Sequence, residues 1–141
     1  EVPTDAIGFI LGTEAAAAFD EPTRASQLNA MTEPPEESRW PDSFRASRFV
    51  PAVEYLQANR LRMRVMQEMD EVLSDLDLFV GSNLSLTNLT GHPEISMPSG
   101  FFQGSPTSLR FTGKLFGEPE ILLLAHAFQA RTDHHLKHPT L

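Results

Sequence analysis

The run from Leu86 to Gly113, Leu-Thr-Asn-Leu-Thr-Gly-His-Pro-Glu-Ile-Ser-Met-Pro-Ser-Gly-Phe-Phe-Gln-Gly-Ser-Pro-Thr-Ser-Leu-Arg-Phe-Thr-Gly, constrains this chain more than any other stretch of it. Glu94 to Pro98 and Thr107 to Thr112 alternate apolar and polar residues, the period of strands with one face on a core. Between them Ser99, Gly100, Gly104, Ser105 and Pro106 supply the backbone angles of a loop. The pattern predicts two strands and their turn.

Around this hairpin the periodicity is helical. Thr4 and Asp5 stand where an N-cap and first turn belong, and Ile7, Ile10, Leu11, Ala15, Ala18 and Phe19 follow at helical spacing, which predicts a helix over 5–19. From Asp20 to Arg48 the period disappears among Pro22, Pro34, Pro35 and Pro41, and a long loop is expected over 20–48. A loop of that length in a compact domain is uncommon and often functional or mobile. Pro51 suits the first turn of a second helix to about Ser74, with Tyr55, Leu56, Met63, Met66 and Leu73 on one apolar face and Met63, Met66 and Met69 read as core packing. Asp77-Leu-Phe-Val80 reads as a short buried strand, followed by a turn over Gly81, Ser82 and Asn83. Glu118 to Arg131 predicts a last helix, with Ile121, Leu122, Leu124, Ala125 and Phe128 facing inward.

With 141 residues, no internal repeat and no abrupt change of composition, the chain is expected to form a single unit. It carries 11 Lys and Arg against 19 Asp and Glu, a formal charge of −8, which disfavours binding to nucleic acid through phosphate neutralisation. No apolar stretch approaches the roughly 18 residues of a membrane span, so no membrane partner is expected. The absence of cysteine excludes disulfides and thiolate chemistry; it does not fix the compartment, for which the cytoplasm is favoured. The chain opens on Glu1 and enters a helical pattern almost at once, as expected of a piece of a longer protein.

The order Asn88, Gly91, Pro93, Pro98, Gly100, Gly104, Pro106, Gly113 resembles the carboxy-terminal segment of the amidase signature family. Six pieces stand in the family's order. They are Pro51-Ala-Val-Glu-Tyr55 with the late Arg60 and Arg62, then Asp77-Leu-Phe-Val80, Asn88 to Pro93, the strand ending Pro98-Ser-Gly100, Gly104-Ser-Pro106 leading to Gly113, and the helix after Glu118. Together they cover roughly Val50 to Leu141. The resemblance implies an α/β fold, with helices packed on about three strands of a mixed sheet whose other strands lie elsewhere in the family's domain.

It also implies a chemistry. Family members cleave amide bonds with a lysine, a serine in a cis peptide and a nucleophilic serine: the neutral lysine acts through the bridging serine on a hydroxyl otherwise too weak to attack, and backbone N–H groups hold the oxyanion. This unit lies upstream of the matched segment in the family. The chain has no Ser-Ser pair and its only lysines are Lys114 and Lys137, so no catalytic residue is assigned to it. The expected role is a structural and substrate-wall portion of an amide-bond hydrolase, needing no cofactor and inactive by itself. Partners implied are a small amide substrate, a homodimer, or partner subunits if the protein is an amidotransferase. The chain departs from the family in two places: Glu94 stands where alanine is usual, and the Pro-Thr segment before Asn88 is shortened to Gly81-Ser-Asn-Leu, with no Asp or Glu between Asp77 and Glu94, where members acting on glutamine for charged transfer RNA keep an aspartate. A free-standing α+β binding module is the alternative from another class.

Several residues are candidates for the pocket. Asn83, Thr87 and Asn88 follow a strand on its C-terminal side, where α/β sheets bind ligands; for Thr87 and Asn88 the alternative is that they satisfy loop backbone groups. Trp40 and Arg45, with Arg39 and Arg48, give an aromatic wall and a cation for a substrate carboxylate, or else an anchored surface loop. His126, Asp133, His134, His135 and His138 have the chemistry of metal ligands, but their spacing suits one helix face poorly and imidazoles are favoured at a helix C-terminus, so no metal is assigned. Asp75 and Asp77 read as a helix exit and a strand start rather than an acid–base pair.

Overall fold

Alternation along the hairpin and helical spacing after Glu118 meet in one core. A computed structural model describes residues 4–30, 40–81 and 83–139. Where the sequence suggests a single unit, the chain groups into two compact units, Glu1–Val65 and Met66–Leu141.

In the second unit β1 (Leu78–Val80), β2 (Glu94–Phe102) and β3 (Ser105–Gly113) form a sheet in the order β1-β3-β2. Both pairings are antiparallel, so the mixed sheet expected of the family would need strands beyond these three. Ile95 faces Phe111 and Met97 faces Leu109 across the ladder. This side packs on α6 (Glu118–Arg131), where Met97, Phe111, Ile121 and Ala125 form the buried cluster and Leu78, Ile95, Leu109 and Phe128 close around it. Ile121, Ala125 and Phe128 recur at i, i+4 and i+7, one stripe of the helix. Leu122 and Leu124, expected inside, are exposed: Leu122 turns about 100° away from Ile121, and Leu124 stands at the margin of the stripe. Gly113 has no alternative at its position: a Cβ there would stand 2.9 Å from Ile121 Cγ2 and 3.0 Å from the Gly117 carbonyl.

The hairpin is longer than its alternation suggests. Ser99, Gly100, Ser105 and Pro106, read as loop, belong to the strands, and a bulge between Pro98 and Gly100 restores the register. The turn is only Gln103 and Gly104, both at positive φ (50° and 81°), the two-residue type I′ connection that matches strand twist. β1 is half-buried at Leu78 and Phe79 and exposed at Val80, rather than buried throughout. Between β1 and β2 lies α5 (Leu84–Thr90), unforeseen in a stretch rich in Ser, Thr and Asn. Its ends carry the signal: Asn83 caps the first turn, its side chain accepting from the Leu86 N–H at 3.2 Å, and Gly91 closes the last in the left-handed conformation. Ser82 lies outside the described residues.

The first unit is helical. The helix expected over 5–19 is a 3-10 turn (Thr4–Ile7) followed by α1 (Phe9–Ala18). The expected loop over 20–48 contains α2 (Asp20–Arg24), a 3-10 turn (Gln27–Ala30) and α3 (Trp40–Ser47), while residues 31–39, including Pro34, Pro35 and Arg39, lie outside the described part. Proline misleads here because Pro22 and Pro41 fall in first turns, where a missing N–H breaks no helical bond. Ala16, Leu28 and Phe44 form the buried cluster, and Phe19 stacks on Phe44 at 4.8 Å between ring centres. The boundary between the units falls within α4 (Ala52–Val72). Met66 and Met69 of α4 are half-buried, whereas Met63 is exposed and does not pack as core.

Candidate functional site

Asn83, Thr87 and Asn88 are brought together by α5. Asn83 is exposed at the cap, and its carbonyl accepts from the Thr87 hydroxyl at 3.2 Å and from the Thr87 N–H at 2.8 Å. Thr87 is buried. Both side chains therefore satisfy backbone groups of the helix they belong to. Asn88 alone of the three is exposed on the helix body.

Trp40 and Arg45 lie on α3 in the first unit. Trp40 is half-exposed and tilts against Phe44 with ring centres 5.4 Å apart. Arg45 donates to Asp42 Oδ1 at 3.1 Å and to the Asn29 side-chain oxygen. Arg48 pairs with Asp20, which Arg24 also engages at 2.7 Å. The hydrogen bond from Arg48, and after it that from Arg24, holds the Asp20 carboxyl below its usual range. A substrate carboxylate approaching these guanidiniums competes with carboxylates already in place.

Two polar groupings in the second unit have no counterpart in the sequence reading. On the sheet face opposite Phe111, Thr112 is fully buried, with its hydroxyl 3.0 Å from the Gly81 carbonyl and 3.3 Å from Glu94 Oε2. Its one proton serves one acceptor at a time. Arg110 stands 3.5 Å from Glu94 Oε1, so the residue that departs from the family's alanine is tied into this network. The signal was available: strand alternation puts Glu94, Arg110 and Thr112 on one face. In the second grouping, the Thr90 hydroxyl donates to the Leu86 carbonyl at 2.9 Å and lies 2.7 Å from His92 Nδ1. With its proton committed to Leu86, Thr90 accepts from His92, which places the imidazole hydrogen on Nδ1. Burial pushes the His92 pKa down, and Asp70 opposes it weakly.

The two lysines are occupied by structure. Lys114 donates to the Ser74 carbonyl at 3.1 Å, and Lys137 pairs with Asp133 at 2.8 Å, which lowers the Asp133 pKa. The C-terminal histidines divide: His134 stacks with Phe128, whereas His126 and His135 line a separate shallow groove. Among the described residues no group of three or more His, Cys, Asp or Glu is arranged to hold a metal.

No protein-family model matches the chain. The A subunit of the glutamyl-tRNA(Gln) amidotransferase of Methanosarcina acetivorans is 33% identical over 60% of this chain and 23% of its own length. Its counterpart from Halalkalibacterium halodurans is 33% identical over 62% of this chain and 23% of its own. Among solved structures, a bacterial aryl acylamidase of the amidase signature enzymes superposes on 96% of this chain and 36% of its own, with a TM-score of 0.73 at 15% identity. The chain shares the fold of amidase signature enzymes and is similar in sequence to a part of the amidotransferase A subunits. An amidase family protein from Bacillus anthracis gives the same amidase signature fold, with a TM-score of 0.64 at 21% identity over 90% of this chain and 25% of that one. The chain spans about a quarter of the length of the curated relatives it matches. No helix among the described residues is long and apolar enough to cross a membrane.

Proposed function

We propose that this chain is the sheet-edge and substrate-wall portion of an amide-bond hydrolase, whose acyl-serine chemistry is supplied by a lysine and two serines outside it. The observation that carries this reading is the agreement of two independent likenesses, one of sequence to amidotransferase A subunits and one of fold to an aryl acylamidase. The chain's own groups support the division of labour, since Lys114 and Lys137 are both committed to structural contacts. Asn88, exposed on α5, and Trp40, half-exposed on α3, are the wall residues this reading favours. Thr87, Asn83 and Arg45 act on it through their neighbours, by fixing α5 and α3.

A second reading, an A subunit working with partner subunits, is favoured by the names of the curated relatives and weakened by the lack of any acidic residue between Asp77 and Glu94. The test is ammonia release from a panel of carboxamides, glutamine included, by the 141-residue chain and by a full-length protein that contains it. The expected outcome is hydrolysis by the longer protein and none by the chain. Turnover by the chain that survives repurification would overturn the proposal, and glutamine as the preferred substrate would select the second reading.

A further inference from the structure

α6 ends in a reversal that carries one histidine back over the helix. Thr132 leaves the helix in an extended conformation, its hydroxyl donating to the Phe128 carbonyl at 3.0 Å, and a 3-10 turn over His134–Leu136 follows. Two sets of contacts fix this turn. The His134 ring stacks on Phe128 with ring centres 6.2 Å apart and fills the space beside Gly100 of β2, where a Cβ would stand 3.7 Å from it. Lys137 pairs with Asp133 at 2.8 Å, closing the turn from end to end. His135, next to the anchored ring, is thereby held against the end of α6, where it lines a groove of about 310 Å³ together with His126, Gln129, Ala130 and Thr132. His126, Gln129 and Ala130 stand at i, i+3 and i+4, one face of the helix. The nine positions from His126 to His135 would put the two rings on opposite faces of a continuous helix; the reversal brings them to one groove. Both imidazoles are exposed, and among the described residues neither makes a hydrogen bond, an ion pair or a ring contact.

We propose that His126 and His135 form a binding site for a borderline divalent cation of the Zn²⁺ and Ni²⁺ class, with the Gln129 carboxamide oxygen as a third ligand and water completing the shell. The donor set selects the ion. Imidazole nitrogen suits Zn²⁺, Ni²⁺ and Cu²⁺, whereas Mg²⁺ and Ca²⁺ call for carboxylates, and among the described residues no carboxylate lines the groove. The place favours a cation as well, because the groove lies at the C-terminal end of a 14-residue helix, where the unpaired carbonyls carry partial negative charge. The anchored turn sets the two histidine backbones in place beforehand, so chelation orders little more than two exposed side chains. Two imidazoles and a carboxamide fall short of the closed shell of a structural zinc centre, and the ion exchanges with solvent. Once bound, it fastens the 3-10 turn to α6 and with it the cover over Gly100. The proposal is independent of the amide-hydrolase reading, and its readout needs no activity.

The experiment titrates Zn²⁺ calorimetrically into the untagged 141-residue chain at neutral pH. One ion should bind per chain, at least about tenfold more weakly in His126→Ala and in His135→Ala, both changes at exposed positions. His138→Ala and His134→Phe should bind as the unaltered chain does, the first because His138 lies beyond the turn, the second because phenylalanine keeps the stack on Phe128 while removing the imidazole. Excess Mg²⁺ should not displace the ion. The Leu136 and Lys137 amides, which donate to the Asp133 and His134 carbonyls, should exchange more slowly when Zn²⁺ is bound. Absence of binding up to millimolar Zn²⁺, equal affinity in the two alanine variants, or a loss as large in His138→Ala or His134→Phe would each overturn the proposal. Displacement by Mg²⁺ would overturn it too, since charge alone would then hold the ion. Half an ion per chain with a dimer would replace it by a site between two copies.

Discussion

Thr112 has no exposed surface, yet it carries a hydroxyl, and the Gly81 carbonyl depends on that hydroxyl. Thr112→Val keeps the shape and β-branching while leaving the partly buried Gly81 carbonyl without that hydroxyl, so it should cost about 1–2 kcal/mol, read as a lower urea midpoint at unchanged slope. His92 gives a pH signature. Its folded pKa lies below the ordinary value of 6.5, so the unfolded chain binds the proton first on acidification. The stabilisation is complete above pH 6.5 and is lost as the pH falls through the lower, folded value. His92→Gln should flatten the fall of the urea midpoint across that window; an unchanged pH profile would remove His92 from the account. Neither residue announces itself in the sequence, because a threonine in a strand and a histidine before a proline are ordinary. Their importance comes from partners 31 positions away for Thr112 and from the turn closed by Gly91 for His92.

Among the elements, those with strong periodicity were legible and those built on special positions were not. The strands and α6 followed from alternation and a seven-residue stripe. α2 and α3 were hidden by prolines that the first turn of a helix tolerates, and α5 by polar residues that its caps turn to use. The hairpin turn was placed correctly but drawn too wide. Its Gln103 holds a positive φ that asparagine adopts more readily, so Gln103→Asn should stabilise the hairpin by about 0.5–1 kcal/mol, seen as a rise in melting temperature. Gly113 tests how α6 meets the sheet. A methyl there meets Ile121 and a backbone carbonyl that cannot swing aside, so Gly113→Ala should cost about 1–3 kcal/mol in denaturant unfolding. A wild-type midpoint would show that α6 shifts freely.

For the molecule as a whole, the sequence determined the kind of protein: the order of Gly, Pro and Asn from Asn88 to Gly113 marks an amidase signature fold, because turns and caps demand those residues at fixed positions whatever lies between them. The lack of a Ser-Ser pair and the presence of only two lysines, Lys114 and Lys137, are likewise visible without coordinates. Only the tertiary structure decided which polar side chains are occupied. Thr87 read equally well as a ligand contact or as support for loop backbone groups until the distances tied it, with Asn83, to the backbone of α5. Likewise Leu122 and Leu124 pass for core until the packing of Ile121, Ala125 and Phe128 on β2 and β3 leaves them outside. Hydrogen bonds and burial belong to pairs of residues brought together by folding, and a linear pattern records only one member of each pair.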